Sequence, residues 1–203
     1  FPMLHLETVH PDTLGLLKRL QALPVLSETR LVGGTALALQ LGHRRSIDLD
    51  FFGCWGEVNL LPDLESCGTV VRTGGTGRLQ FYEINQIKVD FVTYAYAWLK
   101  EASFEGGLRL AQIEDIAAMK LEAVTNRGSK KDFIDVAFLL DLFPLEELLG
   151  LYQRKYPAGL KLLVMRSLVY FDDAETTDMP VMLKPLSWDD AKERICDAVR
   201  ATA

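Results

Sequence analysis

Apolar positions recur at helical spacing through "PDTLGLLKRLQA", residues 11 to 22, behind an Asp12/Thr13 start signal, which predicts a first helix. The short apolar run "RLVGG" breaks at Gly33-Gly34, and "TALALQLG" then carries good helix formers up to a glycine, so residues 30 to 42 read as strand, turn, helix. Over "SIDLDFFG", residues 46 to 53, the period becomes two. Ile47, Leu49 and Phe51 point one way and Ser46, Asp48 and Asp50 the other, a strand with one apolar and one acidic face. "LLPDLESCG" reads as a short helix. Residues 68 to 94 then place β-branched and aromatic residues around turn signals at Thr73-Gly74-Gly75 and Asn85-Gln86, an antiparallel meander. In its last strand Ile87, Val89 and Phe91 share one face while Lys88 and Asp90 share the other.

From about residue 110 the period turns helical, in "LAQIEDIAAMKLEAVTNR", "KKDFIDVAFLLDLF", "PLEELLGLYQRKY" and "GLKLLVMRSLVYF", with breaks at Gly128-Ser129, Pro144 and Pro157-Ala158-Gly159. "DDAETTDMPVMLKP" reads as an acidic loop, and Ser187 caps a terminal helix. The expected fold is therefore α+β, with a sheet-bearing subdomain over residues 1–108 and a helical subdomain over 109–203. At 203 residues the chain fits one domain or two closely packed subdomains.

Composition narrows the function. No apolar run approaches the roughly 18 residues that cross a bilayer, so no membrane partner is expected. The first residues lack an export leader, and the absent initiator Met suggests a trimmed start. Cys54, Cys67 and Cys196 suit neither a disulfide framework nor a zinc site, which favours a reducing cytoplasm. A net charge of −6 excludes a general nucleic-acid coat and leaves only local contacts, through His43, Arg44 and Arg45, through Arg127, Lys130 and Lys131, or through Arg154, Lys155 and Lys161. The last cluster reads as solvated surface.

The chemistry lies in the acidic strand. Asp48 and Asp50, one residue apart on a strand, project from one face about 7 Å apart, a gap their side chains can close around a cation. Magnesium takes one or two carboxylates, waters and substrate phosphates. With Asp90 on a neighbouring strand, two ions could be held as phosphoryl or nucleotidyl transfer requires. Alternating Asp residues that merely face water are the plain alternative. Gly33 and Gly34 admit a close ligand, Thr35 offers a hydroxyl and an N-cap, and the helix start favours an anion.

Gly33-Gly34-Thr35, His43-Arg44-x-Ser46-x-Asp48-Leu49-Asp50 and the isolated Asp90 of "IKVDF" together resemble the nucleotidyltransferase superfamily, specifically its AbiEii/AbiGii toxin-type branch. Lys120, Arg127 and "KKDFID", with Lys131, Asp132 and Asp135, resemble that branch's trailing lysine, arginine and K-D-x-x-D motifs. The likeness spans roughly residues 28 to 142. It implies a polymerase-beta-like palm of mixed or antiparallel sheet with flanking helices, followed by a C-terminal helical bundle. The implied reaction is transfer of a nucleoside monophosphate from an NTP, with Mg2+ or Mn2+ and release of pyrophosphate. An RNA acceptor is implied, the tRNA 3′ end first, and a cognate antitoxin as partner.

On the matching positions, Asp48 and Asp50 would hold metal and triphosphate, and Asp90 would be a metal ligand or the base. Gly33, Gly34, Thr35, Arg44 and Ser46 would bind phosphates, and Lys120 and Asp132 would complete the site. Lys120 and Arg127 lie seven apart on one helix face, where both could meet a triphosphate. Asp132 could equally hold either by an ion pair, or simply start a helix. Arg45 and Lys88 read as surface charges. Transfer to a protein hydroxyl, a non-catalytic nucleotide- or partner-binding module, and a metal-dependent nuclease are the competing functions.

Overall fold

The computed structural model describes residues 4–56 and 58–202. Two compact units are present, Phe1–Ala95 with Ala102–Ala111, and Tyr96–Glu101 with Gln112–Ala203. The first contains the helices α1 (Pro11–Gln21), α2 (Gly33–Leu41) and α3 (Leu61–Leu64). Its strands are β1 (Thr29–Val32), β2 (Leu49–Gly53), β3 (Val70–Gly74), β4 (Leu79–Ile84), β5 (Ile87–Thr93), β6 (Ser103–Glu105) and β7 (Leu108–Leu110). Among the described residues these make one seven-stranded mixed sheet in the order β3-β4-β5-β2-β1-β7-β6. With the helices of the second unit, the class is the expected α+β.

The centre of the sheet is β2, antiparallel to β1 and parallel to β5. Leu49, Phe51, Val89 and Phe91 are fully buried, and the in-register rings of Phe51 and Phe91 stack with centroids 5.3 Å apart. Because side chains alternate along each strand, burying these four turns the intervening positions of both strands to the other face. Regular pairing starts at Leu49, whereas Ser46 makes only an isolated bridge to Val9. Ile47, expected on the apolar face, is consequently 69% exposed.

The β4–β5 hairpin turns through Asn85 and Gln86, both at positive φ (50° and 66°), the two-residue geometry that the sheet's twist favours. A second two-residue turn at Gly106-Gly107, with φ of 58° and 77°, joins β6 to β7. This hairpin was not expected from the sequence. Its three-residue strands are too short to show a period of two, although the Gly-Gly pair is itself a turn signal. Gln21 clamps β7, its Oε1 accepting from Arg109 N (2.7 Å) and its Nε2 donating to Arg109 O (2.8 Å).

The second unit holds α4 (Ile113–Asn126), α5 (Lys130–Leu139), α6 (Leu145–Lys155), α7 (Lys161–Leu168), α8 (Asp172–Glu175) and α9 (Trp188–Thr202). Ser187 caps α9 as expected, its Oγ accepting from Asp190 N at 3.1 Å. The loop expected over 172–185 contains α8. No helix among the described residues is long and apolar enough to cross a membrane. One basic residue read as solvated is not. Lys155 has a fully buried side chain, donates to Asp115 Oδ1 at 2.6 Å and to Ala97 O at 3.2 Å, and lies 4.6 Å from the Trp98 ring centroid. Asp115 also accepts from Leu99 N and Lys100 N, so a buried charge pair ties Tyr96–Glu101 into the helical unit.

Truncating the stacked pair opens a cavity where β2 meets β5. Phe91→Ala is expected to cost about 3–5 kcal/mol, read as the loss of unfolding free energy in urea titrations.

Candidate active site

Parallel pairing sets Asp50 directly beside Asp90, on strands about 4.8 Å apart and on the face opposite the Phe51–Phe91 stack. Asp48 precedes β2. Its backbone carbonyl accepts a short hydrogen bond from Thr35 Oγ1, which also bonds Ser46 Oγ at 2.9 Å. The buried Thr35 hydroxyl thus ties the first turn of α2 to the segment leading into the acidic strand. It does not cap the helix: the N-cap position is Val32, and no side chain fills that role.

The two glycines have a definite task. A Cβ on Gly33 would stand 2.3 Å from Asp50 Oδ2, and φ there is +69°. A Cβ on Gly34 would stand 2.4 Å from Arg44 Nη2 and 3.3 Å from Ser46 Oγ. The space that a side chain would fill at these residues is taken by the chain's own carboxylate and guanidinium. Val32 pairs with Asp50 across β1–β2, which is why the next residue meets that carboxylate. Arg44 is 2% exposed and donates through Nη1 to Arg45 O at 3.0 Å. His43 beside it is fully buried.

Lys88, read from the sequence as a surface charge, belongs to this cluster. Its Nζ lies 2.9 Å from Asp90 Oδ2. The hydrogen bond to Asp90 raises its pKa against the opposing effect of partial burial, and the charges of Asp90, Asp48 and Asp50 add to the rise. Asp90 is the carboxylate in direct contact with this ammonium. The available signal was the two-residue spacing that puts Lys88 and Asp90 on one face of β5. Asp90 Oδ1 is buried with no hydrogen-bond partner, a costly state for a carboxylate oxygen and one that a cation or a donor hydroxyl would relieve. No group of three His, Cys, Asp or Glu residues among those described is arranged to hold a metal ion unaided. Magnesium does not require one, since waters and substrate phosphates fill most of its shell. Asp50 and Asp90, paired in register, offer two carboxylates of the kind that such an ion takes.

Lys120, Arg127, Asp132 and Asp135 lie in the helical unit and bind one another. Lys120 Nζ sits 2.9 Å from Asp132 Oδ1 and 2.7 Å from Asp135 Oδ2, all three side chains at most 5% exposed. Arg127, 60% exposed, forks onto Asp132 through Nε (3.0 Å) and Nη2 (3.2 Å), and Ser129 Oγ adds a short hydrogen bond. Burial would raise the Asp132 pKa, but the charges and hydrogen bonds of Lys120, Arg127 and Ser129 outweigh it and hold the carboxyl well below the usual range. Lys120 lies within α4 and Arg127 just past its end, so the two do not share a helix face as their spacing suggested, yet both bind Asp132.

The family model described as "Nucleotidyl transferase AbiEii toxin, Type IV TA system" matches residues 15–198. A protein of Aquifex aeolicus (strain VF5) described as uncharacterized is 33% identical over 166 residues, 78% of this chain and 81% of that protein. Among solved structures, JHP933 from Helicobacter pylori is 18% identical with a TM-score of 0.56, over 94% of this chain and 88% of that one. MenT4, a nucleotidyltransferase toxin of Mycobacterium tuberculosis H37Rv, is also 18% identical with a TM-score of 0.56, over 94% of this chain and 84% of its own. At these identities the solved structures establish a shared fold.

Gly33→Ala is expected to cost more than about 1 kcal/mol in chemical denaturation, through positive φ and the clash with Asp50, whereas Gly15→Ala, at a half-buried position of α1 with room for a methyl group, is expected to be neutral or stabilising. A carboxylate with a lowered folded pKa adds stability that is complete above the unfolded value near 4 and fades as pH falls through the folded value. Asp132→Asn is therefore expected to flatten the decline in stability between about pH 4 and pH 2, checked by urea unfolding at stepped pH.

Proposed function

The chain belongs to the AbiEii family of nucleotidyl transferase toxins of type IV toxin–antitoxin systems, NTP-using enzymes, and from that premise we propose that it transfers a nucleoside monophosphate to the 3′ end of an RNA, tRNA first, in the cytoplasm. The observation that carries this reading is the in-register pairing of Asp50 with Asp90, with Asp50 seated on Gly33 and Arg44 on Gly34. Such a family implies an NTP substrate and an antitoxin partner.

Asp48, Asp50 and Asp90 would hold the divalent cation, Mg2+ or Mn2+. When bound, it neutralises triphosphate charge and orients the reacting phosphate. The first turn of α2 presents the backbone N–H groups of Gly33, Gly34 and Thr35, which have no partner within the helix and favour an anion. Arg44, held beside that turn and Ser46, supplies positive charge and a forked donor for phosphate oxygens. Alternatively to holding metal, Asp90 would be the base that takes the proton of the acceptor hydroxyl, a role that its unpartnered Oδ1 supports. The freed oxygen bonds to the α-phosphorus, the bond to the bridging α–β oxygen breaks, and pyrophosphate leaves. The helical unit holds its own charge network, with Arg127 forked onto Asp132. Lys120 holds Asp132 in turn. The net charge of −6 confines RNA contact to local basic residues.

Incubation with each α-labelled NTP, Mg2+ and total bacterial RNA, followed by sequencing of RNA ends, names donor and acceptor together. Label on RNA 3′ ends is expected, lost on chelation and reduced at least about a hundredfold in Asp50→Asn. Label on protein would move the acceptor to a protein hydroxyl. Label in neither would overturn transfer, and RNA cleavage without NTP consumption would make the site a nuclease.

A further inference from the structure

The carboxylate cluster already carries a cation of its own. Lys88 Nζ lies 2.9 Å from Asp90 Oδ2, and the charges of Asp48 and Asp50 act on it as well. Carboxylates gathered on one face repel one another, so a nearby ammonium offsets part of that cost. The two partners are differently placed, since the Lys88 side chain is 59% exposed and that of Asp90 only 16%. Asp90 is fixed by the in-register β2–β5 ladder, whereas Lys88 reaches it on a flexible four-carbon stem with solvent alongside. A divalent ion drawing on the same carboxylates would meet a like charge at close range, and only the ammonium is free to move away. An ion pair with one exposed partner is weak enough to be broken this way.

We propose that Lys88 is an internal counter-cation that holds Asp90 in the metal-free protein and yields its place to the divalent ion, thereby setting the affinity for metal. Lys88 is a positioning residue in this scheme. It governs when the carboxylate is available, and the proposal rests on the metal-holding reading of Asp48, Asp50 and Asp90.

Mn2+ alone, titrated into the chelator-stripped full chain and followed by the electron paramagnetic resonance signal of the free ion, reads this directly. Lys88→Met and Lys88→Gln are both expected to bind Mn2+ about fivefold more tightly than the wild type, while Lys88→Arg, which keeps the charge, stays near it. Both neutral variants are also expected to melt below the wild type in chelator, a deficit that disappears at saturating Mn2+ because the ammonium has by then been displaced in the wild type too. Unchanged Mn2+ affinity in the neutral variants would make Lys88 a bystander and overturn the proposal. Weaker binding would also overturn it, by showing that Lys88 supports the metal. Both outcomes leave the metal-holding reading standing. Only a wild-type chain that takes up no Mn2+ would remove that reading, and this inference with it.

Discussion

The parallel ladder between β2 and β5 is the constraint on which the site depends. Phe51 stacks on Phe91, and Leu49 and Val89 are buried beside them, so slipping the register by one residue would expose two phenyl rings and drive two carboxylates into the core. Apolar burial on one face thus fixes the separation of Asp50 and Asp90 on the other. The charged groups need not hold themselves together, which their mutual repulsion would oppose. The antiparallel β1–β2 pairing brings in the other half of the arrangement, because it sets Val32 against Asp50 and leaves the next residue no room for a side chain.

Two clusters of charge show how differently a fold can treat carboxylates. In the helical unit Asp132 accepts from Lys120, from Ser129 and twice from Arg127, and Asp115 accepts from Lys155 and two backbone N–H groups. Buried charge there is matched by donors, as it must be where water cannot compensate. On the sheet, Asp90 has one oxygen on an exposed lysine and the other buried without a partner. Saturation suits a scaffold and an orientation role, while an unsatisfied oxygen beside a displaceable cation suits a site that must accept something from outside.

Much of this was legible in the chain. The alternation at residues 49 to 53 and 87 to 91, the glycine pair and the isolated Asp90 marked the strands and the carboxylates, and the change of period near residue 110 marked the helices. Short strands escaped because β6 and β7 have three residues each, less than two full repeats of the strand period. Lys155 escaped for another reason: a lysine in a basic run looks solvated, and its burial is made tolerable by partners far off in the chain, Asp115 among them at 40 residues away. Lys88 is exposed, as its surface reading expects, but its contact with Asp90 escaped because a charge on a half-exposed strand face has no local mark that separates solvent from a neighbouring carboxylate.

The sequence by itself determined which residues alternate, which segments change period, and which residue types occur where chemistry needs them, since these follow from local geometry and composition. Tertiary structure alone decided what each of those residues touches. The glycines make room for Asp50 and Arg44, Thr35 secures the Asp48 backbone and leaves the helix uncapped, Lys120 and Arg127 turn to Asp132, and Lys88 answers Asp90. Contacts of that kind depend on strand order and helix packing, which bring together residues that no local period relates.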